Sequence, residues 1–210
     1  MTYRDRRAAG ADLARRLAAF AGRSDVVVLG LVRGGVPVAV EVAARLNAPL
    51  DVLIVRKLGV PWAPEVAFGA LGPAGVKVLN ERVVARLEPS AVRSVVRREQ
   101  AELSRRERQY RGGRPALDLT RRTAIVVDDG LATGASARAA IAAARRLGAA
   151  AVVLAVPVGA RDSVTALAAV ADEVVCPLVP APFGAVSRYY DDFRQVDDHE
   201  VVTLLAAGDP

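Results

Sequence analysis

The 210 residues contain one cysteine, Cys176, one histidine, His199, and one tryptophan, Trp62. That scarcity excludes a disulfide within the chain, a Cys/His zinc site and any histidine-based catalytic triad. A bound metal must then be a hard cation on oxygen ligands. Long apolar runs are also absent: Gly, Pro or a charge interrupts each one well short of a membrane span. The opening residues, MTYRDRR, lack the apolar stretch of a signal peptide, so the expected location is cytoplasmic and no membrane partner is expected. Lysine occurs only at 57 and 77, and the formal charge of +6 comes almost entirely from arginines spread along the chain. Spread in this way, the charge favours an anionic small substrate over nucleic acid.

At 52% hydrophobic and 25% charged residues, the chain has the composition of a globular domain with a sizeable core. Five apolar, β-branched runs, at 26–30, 51–55, 124–127, 151–156 and 173–176, read as strands of a parallel sheet buried on both faces. Between them lie helix-periodic segments, so the expected class is α/β: a five-stranded parallel core with helices on both faces. Residues 66–80, with three glycines and a proline, read as a twisted hairpin or short strands. Residues 81–111 form a long charged helix whose stripe, Val92, Val95, Val96 and Leu103, is thin. Such a helix belongs on a surface or against a second subunit, which makes a homodimer an expectation. A last helix is expected at about Asp198–Leu205, and Cys176 as a small buried apolar residue.

The chemistry concentrates in Ala124–Ser136, AIVVDDGLATGAS. A buried strand ends in Asp128 and Asp129. A loop of small residues follows, and then Ala137, Ala140, Ile141 and Ala144 fall on one helix face. Backbone N–H groups, the hydroxyls of Thr133 and Ser136 and a helix N-terminus are the means by which chains hold a phosphate. The two acids just ahead can accept hydrogen bonds from vicinal sugar hydroxyls. A sugar phosphate fits this stretch from both ends.

In these residues the sequence resembles the type I phosphoribosyltransferases, whose motif for phosphoribosyl pyrophosphate (PRPP) has the form of VVDDGLATGAS. The resemblance implies that fold over a single domain, residues 1–210, with a small hood over the base at about 177–197. It also implies that Asp128 and Asp129 hold the ribose hydroxyls while Ala132, Thr133, Gly134, Ala135 and Ser136 hold the 5′-phosphate. One βαβ unit earlier, Arg33-Gly34-Gly35 is by itself as readily a tight strand-to-helix turn as a ligand loop. Its position resembles the family's pyrophosphate loop, where a non-proline cis peptide is common, here at Val32–Arg33. Arg56 and Lys57 open a basic loop running to Glu65. They are either a solvated pair or contributors to the mobile loop that covers the diphosphate. Phe183, Tyr189 and Tyr190 belong to an aromatic cluster that suits either stacking on a base or a minicore tying down the C-terminal segment.

The implied reaction displaces pyrophosphate from PRPP by a ring nitrogen of a base, with Mg2+ on the diphosphate and ribose oxygens and Asp128, Asp129, Arg33 and Lys57 as the catalytic set. One position departs from the pattern. Members acting on 6-oxopurines carry an acid just before the loop threonine, where this chain has Ala132. The departure argues against such a base, but adenine- and orotate-type members also lack that acid, so it does not argue against catalysis. A second reading, from a different class, is a PRPP-sensing regulator without turnover, RNA-binding or not.

Overall fold

In the computed structural model, residues 2–207 are described, with the side chains of Pro64 and Glu65 excepted. The ends of the expected domain, residue 1 and residues 208–210, lie outside the described residues.

Strands β1 (Val26–Leu31), β2 (Leu50–Leu53), β6 (Thr123–Val127), β7 (Ala151–Ala155) and β8 (Glu173–Val175) form one parallel sheet in the order β2-β1-β6-β7-β8. Every residue of β1 and β6 is buried, because alternate side chains enter separate cores on the two faces. Val26, Val28, Ile125, Val127, Val153 and Ala155 face one core. Val27, Leu29, Ala124, Val126, Val152 and Leu154 face the other. Helices α1 (Arg6–Arg16), α2 (Gly35–Leu46) and α7 (Asp198–Ala207) cover the first face, and α5 (Ala135–Arg146) and α6 (Arg161–Ala168) cover the second. The expected class, helices on both faces of a five-stranded parallel sheet, is the one observed.

The chain enters this sheet at its second position, β1, builds outward to the edge strand β2, and returns to place β6 on the opposite side of β1, at the centre. The loops leaving β1 and β6 therefore emerge side by side at the point where strand order reverses, which is where open α/β sheets bind ligands.

Two segments differ from expectation. The sequence predicts a loop over Arg56–Glu65, but Arg56–Val60 is strand β3, paired antiparallel with β4 (Ala63–Leu71) and through it with β5 (Lys77–Leu79). The prolines at 61 and 64 suggest a loop; Pro61 lies in the turn and Pro64 at the start of β4, positions that spare the ladder its missing N–H. The charged segment 81–111 is two helices, α3 (Glu81–Val84) and α4 (Pro89–Arg111), because Pro89 sits at a helix start rather than inside one. Val95, Leu103 and Tyr110 of α4 are buried against β2, β3, β4 and α7 of the same chain.

Candidate active site

Strand β6 delivers Asp128 and Asp129 to the reversal point. The Asp129 N–H donates to Asp128 Oδ1 (2.9 Å), which fixes the first carboxylate. The second is held by Arg6 of α1: Nε donates to Asp129 Oδ2 at 2.9 Å, and Nη2 lies 2.8 Å from the same oxygen in an ion pair. The Tyr190 hydroxyl donates to the Asp129 backbone carbonyl at 2.6 Å. Burial raises the pKa of both acids above the ordinary carboxylate value. The neighbouring Asp129 charge raises Asp128 further, whereas the Arg6 guanidinium pulls Asp129 back down.

The loop after β1 lies directly against this pair. A Cβ on Gly34 would collide with the Asp129 carboxylate, and one on Gly35 would lie 2.9 Å from Asp128 Cα. Only glycines allow the loop to sit this close. The Val32–Arg33 peptide is cis, as the resemblance implied, and Gly34 opens α2 with no side-chain cap.

After the acids, Leu131 is tied to the β7–α6 connection: its N–H donates to Val158 O (2.9 Å) and its carbonyl accepts from Ala160 N–H (2.8 Å). Ser163 Oγ donates to the Ala132 carbonyl at 2.5 Å. Gly134, at φ +76, turns the chain into α5, again without a side-chain cap. The first-turn N–H groups of α5 have no intrahelical acceptor. Thr133 and Ser136 are exposed.

The other expected residues divide. Arg33 does not lie free beside its loop: Nη1 donates to Asp198 Oδ1 (3.3 Å), which also accepts from the Tyr110 hydroxyl (2.6 Å). Arg56 makes a two-pronged bond to Glu99 Oε2 of α4, at 2.9 and 2.6 Å. Lys57 is exposed on β3. Of the aromatics, Tyr190 is buried and packs against Tyr3 and Phe193, which is the minicore arrangement. Phe183 and Tyr189 are half-buried and stacked, with ring centroids 5.7 Å apart. Val186, between them in sequence, sits over the backbone of Gly130, so this segment lies beside the site. Cys176 is largely buried, its Sγ bonded to the Leu178 carbonyl, and burial pushes its thiol up to about 11.

Arg6, Asp198 and Glu99 were not anticipated from the sequence. For Arg6 a signal did exist. A cation in the first helical turn opposes the helix dipole, and α1 opens with Arg6-Arg7 behind its Asp5 cap. That placement asks for a compensating acid elsewhere. Among the described residues no group of three or more His, Cys, Asp or Glu side chains is arranged to hold a metal ion, and no helix is long and apolar enough to cross a membrane.

Comparison with known proteins identifies the family. The family described as phosphoribosyl transferase domain matches residues 4–194. Mycobacterium tuberculosis proteins from strains CDC 1551 and H37Rv, provisionally named phosphoribosyl transferases, are each 55% identical over 205 residues. The match covers 97% of this chain and 46% of the relative, so the chain spans about half the length of these proteins. A crystal structure of a Thermus thermophilus protein superposes with a TM-score of 0.84 at 45% identity, covering 99% of both chains. An adenine phosphoribosyl transferase from Trypanosoma brucei shares the fold at 13% identity (TM-score 0.50, 94% of this chain and 76% of that one). The chain belongs to the phosphoribosyl transferase domain family.

Proposed function

We propose that this chain transfers the 5-phosphoribosyl group of PRPP to a ring nitrogen of a base, with release of pyrophosphate and dependence on Mg2+. The observation that carries the reading is the contact of Gly34 and Gly35 with Asp128 and Asp129, followed directly by the uncapped loop into α5. Diphosphate, ribose and 5′-phosphate are joined in that order in PRPP, and the three features line up in the same order.

In this reading Asp128 and Asp129 orient the ribose hydroxyls, and Ala132 to Ser136 hold the 5′-phosphate. Gly34 and Gly35 admit the diphosphate, toward which Arg33 turns when it leaves Asp198, with Arg56 and Lys57 on the neighbouring hairpin. The base nitrogen attacks C1, the C1–O bond to the diphosphate breaks with its electron pair leaving on pyrophosphate, and the proton of the attacking nitrogen passes to solvent. The chain's part is to align these groups and stabilise the departing charge. Bound Mg2+ would neutralise the leaving diphosphate, and no side chain of this chain is assigned to hold it. Phe183 and Tyr189 offer a ring pair for the base, with Tyr190 behind them tying the hood to Asp129. We assign residues 1–210 to one domain with its hood at about 177–197, acting in cytoplasmic nucleotide salvage as a monomer or homodimer.

The competing reading, a PRPP sensor without turnover, is favoured by the Arg33–Asp198 pair, which holds the diphosphate-loop arginine away from its loop. Two measurements separate them. PRPP with Mg2+ raises the Tm of the wild type, and Asp128→Asn with Asp129→Asn together abolish that rise; a rise that survives the double substitution removes the site. Pyrophosphate release is then measured against a panel of purine and pyrimidine bases. Release with one base establishes the transferase; silence across the panel with PRPP binding intact establishes the sensor. Binding of RNA that weakens steeply with salt would turn the sensor into an RNA-binding regulator.

A further inference from the structure

Arg6 is nearly buried, and each of its contacts is to a part of the site. Nε and Nη2 converge on Asp129 Oδ2. Nη1 donates to the Arg194 carbonyl at 2.8 Å, and the guanidinium carbon lies 4.0 Å from the centre of the Phe193 ring. Arg194 and Phe193 belong to the aromatic segment that also supplies Tyr190, and Tyr190 holds the backbone of the same Asp129. One side chain from the start of the chain thus joins the acid at the centre of the sheet to the segment beside it.

Building on the reading of this site as a PRPP site, we infer that Arg6 is a positioning residue for ribose recognition: by fixing Oδ2 of Asp129, it presents Oδ1 to the ribose and locks the Phe193–Arg194 segment over the acid pair. The geometry favours this over a mere tie between α1 and the C-terminal segment. Nε, through its hydrogen bond, and Nη2, in the ion pair, are both directed at the carboxylate, and only Nη1 is directed at the segment. The carboxylate they fix is also the group against which Gly34 is pressed, so its rotamer sets the gap between the ribose acids and the diphosphate loop.

The charged and titratable groups facing Asp129 are Asp128 from the same strand end, Arg6 from α1, and the Tyr190 hydroxyl from the segment after the 3-10 turn at 186–189. Of these, Arg6 alone supplies positive charge, and it lowers the Asp129 pKa against the rise that burial imposes. Its removal therefore moves ionisation of Asp129 to higher pH.

The test compares Arg6→Gln, Arg6→Lys and Arg6→Ala with wild type in pyrophosphate release, or in PRPP affinity by thermal shift if the wild type binds without turnover. Loss of an interaction made equally in ground and transition states raises KM and spares kcat. Arg6→Gln is expected to raise KM (or Kd) for PRPP about tenfold or more, with kcat within about threefold, as for loss of a charge-assisted pair. The acid limb of kcat/KM for PRPP moves to higher pH. Arg6→Lys keeps the charge without the fork and sits between, with a rise of about threefold. Millimolar guanidinium restores part of the PRPP affinity of Arg6→Ala.

Unchanged PRPP affinity and an unmoved acid limb in Arg6→Gln overturn the inference. So does a fall in kcat alone, with Lys no better than Gln, which is the signature of packing. If Arg6→Gln does not fold, Arg6→Lys decides by the same criterion, an unchanged PRPP constant overturning the inference. A wild type that neither responds to PRPP nor releases pyrophosphate overturns the PRPP reading and this inference together, whereas a responsive wild type with indifferent Arg6 variants overturns only the role of Arg6.

Discussion

Because the Asp129 carboxylate occupies the space that a Cβ on Gly34 would need, Gly34→Ala forces one of two changes. The loop withdraws from the acid pair, or the carboxylate rotates away from Arg6 and gives up the Nε hydrogen bond at 2.9 Å and the Nη2 ion-pair contact at 2.8 Å. A carboxylate at the end of a mobile side chain would yield easily; this one is pinned, so the methyl group behaves like overpacking in a core, costing about 1–3 kcal/mol. Gly34→Ala should lower the urea midpoint accordingly and reduce PRPP affinity about tenfold, since either change spoils the register between ribose and diphosphate. Wild-type PRPP affinity in Gly34→Ala would show that the close contact has no part in binding. The glycine pair, the acid pair and the small-residue loop could be read in the sequence because each is a continuous string whose chemistry is complete locally. Arg6 and Asp198 could not be read in that way: their partners, Asp129 and Arg33, lie 123 and 165 positions distant along the chain. Only the fold brings them together.

Among the elements, the buried parallel strands follow from composition, since a strand covered on both faces must be apolar throughout. The hairpin β3–β5 gives no such signal. In β3 the side chains of Leu58 and Val60 are buried while Lys57 faces outward, and two of its five residues are basic. Its antiparallel pairing to β4 includes register shifts around Gly59, which an alternation count cannot follow. What fastens β3 to α4 is Glu99, a buried carboxylate that accepts both prongs of Arg56 and a bond from Arg98 at 3.0 Å. Its side chain is 9% exposed and that of Arg56 is 25% exposed. Removing one partner of a buried pair costs several kcal/mol, and the partial exposure of Arg56 reduces this to about 2 kcal/mol. Urea denaturation of Glu99→Ala should show a loss of that size, with Glu99→Gln losing less because it keeps the shape and one acceptor. If Glu99→Ala matches wild type, the fork does not hold hairpin to helix. The break between α3 and α4 is legible in retrospect from Pro89, which suits the first turn of a helix and not its interior.

For the whole molecule, the site and the fold make opposite demands on Asp128. It is half-buried at the centre of the sheet's ligand edge beside a second carboxylate, and desolvation first, then the Asp129 charge, raises its pKa well above the unfolded value. A group raised in this way favours the folded state in full only below the unfolded carboxyl pKa, and that share of stability disappears as pH rises through the folded pKa. Above the unfolded carboxyl pKa, Asp128 is therefore a net cost to folding, retained for what it binds. Asn at 128 removes the charge and keeps the oxygen that accepts the Asp129 N–H. Asp128→Asn should raise the Tm of the ligand-free protein at pH 7.5 by about 2–4 °C, the change that about 1 kcal/mol makes in a chain of this size, while losing the response to PRPP. The gain should shrink as pH falls and vanish below pH about 4, where wild-type Asp128 is itself protonated in both states. Asp129→Asn should go the other way at pH 7.5, because it leaves the buried Arg6 guanidinium without its counter-charge. Thermal melts of the two variants across pH 4–8 check both signs at once. A destabilised Asp128→Asn at pH 7.5 would mean that the acid serves the fold, and that the strand end is shaped by packing rather than by the ribose it is proposed to hold.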